Sequence, residues 1–248
     1  MRILAVESSS ATASVAVLQD GKLLGEISIN NQMTHSQTLM PMLDELMMRL
    51  QLDPQDIDFY AASIGPGSFT GLRIGVSIIK GIAYAAQKPV VAVPTLEAMA
   101  EGFASFAGIV CPMLDARNNQ VFTAIFSGDG CNITKTTEVM GVTIEEAINE
   151  CRAQIALNPG KKVLFTGDGA VLHMAVLQET FGVGCTFPKA ARILNSAVDV
   201  AVVAKKMIEN GETTDSMSIK PFYLRKSQAE RLADDKNLTE SEKMKKNV

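Results

Sequence analysis

The sequence contains no tryptophan, and aromatic residues make up only 5% of its 248 residues. Aliphatic side chains and an unusually large set of 13 methionines must therefore supply most of the core. Hydrophobic residues account for 47% of the chain, which is enough to bury a substantial core. The length suits one large domain or two small ones. The composition thus predicts a globular protein with an aliphatic core.

Short motifs for metal binding and nucleophilic catalysis are also missing. The four cysteines are widely spaced and form no CxxC pair, which excludes zinc ribbons and dithiol redox motifs. The two histidines, His35 and His173, form no HxxxH or HExxH pair, and no GxSxG nucleophile elbow is present. A Ser-His-Asp triad stays open on composition alone. The motifs predict no catalytic residue and no metal site.

Long hydrophobic runs and clustered positive charge are both absent. No apolar run reaches the ~20 residues of a membrane span, and the charge of Glu7 comes too soon for a signal peptide. We therefore expect a cytoplasmic protein. Residues 1–200 hold 13 Lys/Arg against 19 Asp/Glu, a net charge of −6, whereas the last 48 residues carry +2. Phosphate neutralisation needs clustered cations, so this chain alone is not expected to capture a nucleic acid tightly.

Two stretches of the chain, residues 3–21 and 109–130, open in the same way. Each is an apolar run that ends in a carboxylate, Glu7 or Asp115, and continues into a polar loop, a second apolar run and an Asp-Gly turn. This pattern predicts a strand, an acidic turn, a second strand and a tight hairpin, made twice. We expect an α/β fold of two lobes that face each other across a cleft, with one carboxylate from each lobe pointing into it. The alternative is two ordinary hairpins that happen to look alike.

Between these repeats, two helices are predicted in the first lobe. The first runs from about residue 35 to 50 and the second from 72 to 86, after the glycine-rich segment 65–71. The second helix is apolar on two flanks, one carrying Leu72, Val76 and Ile79 and the other Ile74, Ile78 and Ile82. An arc this wide should be covered on two sides, by the sheet and by another helix or another chain. Gly71 and Gly75 fall on one face and would allow another helix to approach closely.

The predicted cleft has candidate ligand-binding groups on both sides. The segment Gly167-Asp168-Gly169-Ala170 follows a strand and could approach a nucleotide base or phosphate, although a plain turn is the alternative. Glu7 and Asp115 could position a hydrated metal ion, but a catalytic metal would need more ligands. The glycine-rich segment 65–71 could hold an anion or could simply be a tight turn. Our candidates for nucleotide or phosphate binding are Glu7, Ser8, Asp115, Gly167 and Gly169.

The second half of the chain completes the predicted organisation. Thr143 and Glu146 form a capping box that opens a helix around residues 144–156. A last long helix, about residues 196–210, is expected to cross back to the first lobe. The predicted domains are a first lobe of residues 1–107 completed by that helix, a second lobe of residues 108–195, and a charged flexible tail of residues 226–248.

Six segments taken together resemble the TsaB (YeaZ) family over about residues 1–225: ILAVESS, THSQTLMPMLDEL, GPGSFTGLRIG, PTLEAMA, MLDARNNQVFTAIF and KPFYLR. The GPGSFTGLRIG segment is the specific one. The resemblance implies the two-lobed fold of the ASKHA superfamily, which includes actin, Hsp70 and sugar kinases and is ribonuclease H-like. It also implies a subunit without catalytic activity, needed for threonylcarbamoylation of adenosine 37 in tRNAs that read ANN codons.

The resemblance further implies partners and a binding surface. The catalytic paralogue TsaD carries a metal on an HxxxH pair, whereas the residue four after His35 is Leu39, so the metal site does not carry over. The family pairs with TsaD and the ATPase TsaE, contacts tRNA only through that complex, and forms homodimers through the helices that correspond to residues 35–50 and 71–86. Whether the cleft binds ATP or ADP stays open. The candidate interface residues are Met40, Met47, Gly71, Leu72, Gly75, Val76 and Ile79.

Two other functions stay open at this point. One is a small-molecule kinase or carbamoyltransferase of the same fold that acts by itself, against which the missing metal ligands and Walker-type lysine argue. The other is a peptidase, which lacks support because neither a zinc motif nor a nucleophile elbow is present.

Overall fold

The computed structural model describes residues 1–31, 33–189 and 194–224. The predicted charged tail, residues 226–248, lies outside the described residues. Within them the chain forms twelve strands and seven α-helices, arranged around two mixed sheets.

The first sheet has five strands in the order β3-β2-β1-β4-β5. Its strands are β1 (Arg2–Glu7), β2 (Ala13–Gln19), β3 (Lys22–Ile29), β4 (Phe59–Gly65) and β5 (Val90–Pro94). The first three form an antiparallel meander, and β4 and β5 continue the sheet in parallel to β1. The predicted tight hairpin is confirmed: Asp20 and Gly21 alone connect β2 to β3, and both have positive φ, as a two-residue type I′ turn requires.

Helices cover both faces of this sheet, so β1, β2, β4 and β5 are mostly buried, whereas the edge strand β3 is largely exposed. One face packs on α1 (His35–Leu50) and α2 (Phe69–Ala86), and the other on α7 (Ala197–Glu209). The helix α7 returns from the end of the second lobe, as the sequence predicted. A shorter helix, α3 (Thr95–Glu101), lies between the two sheets, and Gly102 follows its last residue.

The second sheet repeats the strand order of the first, β10-β7-β6-β11-β12. Its elements are β6 (Ile109–Asp115), β7 (Gln120–Thr123), β8 (Phe126–Gly128), β9 (Ile133–Lys135), β10 (Met140–Thr143), α4 (Ile144–Leu157), β11 (Val163–Thr166), α5 (Asp168–Leu172), α6 (Met174–Phe181) and β12 (Cys185–Thr186). The capping box that opens α4 is confirmed, with Thr143 and Glu146 in the expected roles. The duplicated, two-lobed α/β fold predicted from the repeat is therefore correct.

The second repeat differs from the first in its hairpin. The apolar run after Asp115 is not one strand but two, because β7 pairs with one half of β6 and β8 with the other half. We predicted a tight two-residue hairpin at Asp129-Gly130. In the structure these residues belong instead to a four-residue connection between β8 and β9. The Asp129 carboxylate accepts hydrogen bonds from the backbone N–H groups of Cys131 and Asn132, which stabilises this longer loop.

The helix α2 is the one helix of the described chain that is long and apolar enough to cross a membrane. Its inner flank packs instead on the sheet of the first lobe, and α1 lies alongside it. Its length and composition are thus those of a core helix of a folded lobe.

Candidate functional site

A cavity of about 760 Å³ opens between the two lobes. We call it the interlobe cleft. The first lobe contributes the loop after β1, the start of α1 and the glycine-rich segment, and the second lobe contributes the end of β6 and the start of α5. Its lining includes Ser9, Ser10, His35, Pro66–Gly71, Asp115, Arg117, Asp168 and Phe222–Leu224. A cleft of this size and position is where a ligand of the fold would bind.

Glu7 does not point into this cleft, contrary to our prediction. Its side chain is only 1% exposed, and one carboxylate oxygen accepts hydrogen bonds from both the backbone N–H and the hydroxyl of Ser9. The Ser9 hydroxyl in turn accepts a hydrogen bond from the amide of Asn195 at 2.9 Å. Burial raises the pKa of Glu7 above its ordinary value, and the Ser9 hydrogen bonds oppose this shift. Glu7 is therefore an internal structural group of the first lobe.

Asp115, the equivalent carboxylate of the second lobe, does line the cleft. Its Oδ1 accepts a hydrogen bond from the backbone N–H of Arg117 at 2.8 Å, and its Oδ2 lies 3.4 Å from the Arg117 guanidinium. Its own backbone N–H donates to Asp168 at 3.0 Å. Two carboxylates and one exposed arginine thus stand together on the wall formed by the second lobe.

The other predicted nucleotide-binding residues are occupied by packing within the chain. Ser8 is buried, and its hydroxyl donates to the carbonyl oxygen of Gly71 at 2.9 Å. A Cβ at Gly167 or Gly169 would overlap the backbone of β6, so both glycines are needed for close contact between α5 and that strand. Neither Ser8, Gly167 nor Gly169 lines the interlobe cleft. Of the five predicted residues, only Asp115 is placed to meet a ligand there.

His35 stands at the cleft without a second metal ligand. Its Nε2 lies 2.8 Å from the carbonyl oxygen of Ser10, and its Nδ1 has no hydrogen-bond partner among the residues that the structure describes. Leu39, one helical turn later, is completely buried in the core. Among the described residues, no group of three or more His, Cys, Asp or Glu side chains could hold a metal ion.

The predicted interface residues of α2 lie on the wrong flank. Leu72, Val76 and Ile79 are buried in the core, as is Met47 of α1. Gly71 and Gly75 face the loop after β1, because a Cβ at either position would overlap Ser8. At Gly71 the Cβ would also crowd the His35 ring at the start of α1. The glycines therefore allow α2 to approach its own sheet.

The opposite flank of α2 remains partly open. Ile74, Ile78 and Ile82 are only partly buried, and Tyr84 is 58% exposed. On α1, the predicted residue Met40 is 38% exposed. We call these five residues the α1–α2 face.

The C-terminal segment of the described chain adds residues to the cleft that the prediction did not include. The backbone N–H of Phe222 donates to Ile64 at the end of β4, which fixes the segment beside the glycine-rich loop. Tyr223 stacks on Phe69 with ring centroids 4.5 Å apart, and Arg73 lies over the Phe69 ring and donates to the Tyr223 hydroxyl. The KPFYLR motif was the one signal of this arrangement in the sequence.

Comparisons with known proteins point to one family. A family model described as "TsaD: tRNA N6-adenosine threonylcarbamoyltransferase" matches residues 22–233. The chain is 30% identical over 231 residues to the tRNA threonylcarbamoyladenosine biosynthesis protein TsaB of Escherichia coli, covering 92% of this chain and 96% of that protein. It is 28% identical over 230 residues to the TsaB protein of Bacillus subtilis, covering 93% and 96%.

Solved structures agree with this result. YeaZ from Pseudomonas aeruginosa superposes with a TM-score of 0.75 and 25% identity, covering 90% of this chain and 99% of that one. The ethanolamine utilization protein EutJ from Carboxydothermus hydrogenoformans has a TM-score of 0.51 at 13% identity, a likeness that concerns the fold alone.

Proposed function

We propose a function from the premise that this chain belongs to the TsaD family, in its TsaB (YeaZ) branch: it is a subunit without catalytic activity that pairs with TsaD in the biosynthesis of threonylcarbamoyladenosine in tRNA. The match to TsaB proteins over more than nine tenths of both chains carries this proposal. The modified base is adenosine 37 of tRNAs that read ANN codons, and the ATPase TsaE supports turnover.

The absence of catalysis is inferred from the start of α1. A metal site on this helix would need a second ligand one turn after His35, but that position is Leu39, which is buried in the core. Any side chain there would point away from the cleft. The chain therefore fits an inactive paralogue of the transferase whose family model it matches.

The α1–α2 face is our candidate for the surface that contacts TsaD. Its isoleucines recur at helical spacing along α2, and Met40 is a partly exposed residue of the neighbouring helix α1. The methionine can adapt to a partner surface because its side chain is flexible. An interface centred here would bury on the order of 800 Å² per partner. The same face serves the homodimer when TsaD is absent.

The site of action is the cytoplasm, where tRNA is modified. The chain contacts tRNA only through the complex, because its first 200 residues carry a net charge of −6.

Light scattering of the chain mixed with its cognate TsaD tests the pairing. We expect the mass of a complex, and we expect Ile78→Arg to abolish it, because an unpaired charge in a desolvated interface is strongly unfavourable. Val176→Arg on α6 is the control, since Val176 is an exposed aliphatic residue outside the α1–α2 face. The proposed surface is wrong if Ile78→Arg stays folded by circular dichroism and still pairs with TsaD.

A further inference from the structure

The last described stretch of the chain, residues 214–224, runs along the first lobe without forming a helix or a strand. We call it the C-terminal strap. Thr214 and Val90 of β5 exchange two backbone hydrogen bonds of 2.9 Å. Further along, the Lys80 ammonium group of α2 donates to the carbonyl oxygen of Met217 at 2.7 Å. These contacts fix the strap to the first lobe.

The end of the strap is held against the start of α2. The backbone of Phe222 lies directly on Gly65, because a Cβ at Gly65 would overlap the Phe222 carbonyl oxygen. Tyr223 stacks on Phe69 with ring centroids 4.5 Å apart, and Arg73 donates to the Tyr223 hydroxyl at 2.9 Å. These contacts place the next residue of the strap at the mouth of the interlobe cleft.

That next residue, Leu224, reaches the second lobe. A Cβ placed on Gly141 of β10 would lie 3.4 Å from Leu224 Cδ2 and 3.3 Å from the Phe122 ring. Leu224 therefore packs beside Phe122, at a position where β10 has no side chain. Leu224 and Phe122 both line the interlobe cleft. The strap thus bridges this cleft from the first lobe to the second.

We propose that the C-terminal strap is a latch that holds the two lobes together, and that release of Leu224 opens the interlobe cleft. On the first lobe the strap is fixed by hydrogen bonds, by the stack of Tyr223 on Phe69 and by Ile219, which is buried in the core. On the second lobe Leu224, which is only partly buried, makes an apolar contact that is not directional. Opening therefore breaks the contact at Leu224 and leaves the rest of the strap in place. Closure of domains around a cleft by hinge movement is a common form of conformational change.

Distances between spin labels on the two lobes, measured by pulsed electron paramagnetic resonance, test this latch. One label is attached to Asp44→Cys on α1 and the other to Asn149→Cys on α4, because both positions are exposed. Cys131 and Cys185 are replaced by serine, and the other two cysteines are buried, so they are not labelled. Circular dichroism checks that each variant is folded.

Leu224→Ser removes the apolar contact with the second lobe. We expect the distance distribution to broaden and to shift to longer distances, because the lobes are then free to separate. Met217→Ser is the matched control, since Met217 is an exposed residue of the same strap and its contact with Lys80 uses the backbone carbonyl. Its distribution should equal that of the labelled parent protein.

Gly141→Val tests the latch from the second lobe. The valine side chain would occupy the space that Leu224 fills, so the distribution should shift as it does in Leu224→Ser. Gly184→Val is the control for this variant, because the space around Gly184 is open. An unchanged distribution in Leu224→Ser or in Gly141→Val, or an equal shift in Met217→Ser, would overturn the proposal.

Discussion

At the scale of single residues, Glu7 and Asp115 show what a repeat in sequence can and cannot predict. The pattern correctly located a carboxylate at the end of the first strand of each lobe. It could not predict that Glu7 is buried while Asp115 lines the cleft. The difference comes from Asn195, which reaches Ser9 from 186 positions later in the chain. Contacts of that range leave no trace in a local pattern.

Glu7 also gives a prediction about pH. Its pKa is raised in the folded state, so the folded protein binds this proton more tightly than the unfolded chain. Its contribution to stability is therefore present at low pH and is lost as pH rises from the ordinary pKa through the raised one. Glu7→Gln keeps an acceptor for Ser9 and removes the titration. In urea unfolding, the stability of the wild-type protein relative to this variant should fall as pH increases through that window. A difference that stays constant or grows with pH would contradict the assignment.

At the scale of elements, α2 shows the limit of helical periodicity. The period predicted the helix and both of its apolar flanks, but the flank that faces the sheet was chosen wrongly. The choice is decided by Gly71 and Gly75, which must contact Ser8 in the loop after β1.

A similar limit applies to the prediction of β7 and β8 from the sequence. The run VFTAIF contains no glycine, proline or charged residue and gives no sign of the break, where the backbone N–H of Ile125 donates to the Thr137 hydroxyl instead of pairing within the sheet.

Two glycines of α2 provide a matched test of this orientation. Gly75→Ala should destabilise the fold by about 1–3 kcal/mol, because its Cβ would overlap the Ser8 side chain. Gly81→Ala should stabilise it by up to about 1 kcal/mol, because the space around Gly81 is open and alanine favours the helix. Urea denaturation midpoints with unchanged slopes measure both effects. Equal effects of the two substitutions would show that α2 is turned differently.

At the scale of the whole molecule, the duplicated opening of the two halves predicted the architecture. The two sheets have the same strand order, and the returning helix α7 packs on the first of them. The cleft between the lobes was expected, but its lining by Phe222–Leu224 was not, because this segment comes from the far end of the described chain. The division between lobes at residues 107 and 108 stays a prediction.

The charge of the whole chain predicts weak binding to tRNA. Residues 1–200 carry a net charge of −6. The chain can therefore neutralise few tRNA phosphates and release few counterions from them. In filter binding at physiological salt, the isolated chain should bind cognate tRNA with a dissociation constant above the micromolar range. Sub-micromolar binding by the chain without TsaD would contradict this expectation.

Reconstituted synthesis of threonylcarbamoyladenosine tests the central claim most directly. Purified TsaD, TsaE and tRNA are supplied with threonylcarbamoyl-adenylate and ATP, and the modified nucleoside is quantified with and without this chain. We expect efficient synthesis only when the chain is present, loss of synthesis with Ile78→Arg, and normal synthesis with Val176→Arg. Synthesis by this chain without TsaD, or full synthesis by TsaD and TsaE without this chain, would contradict the account.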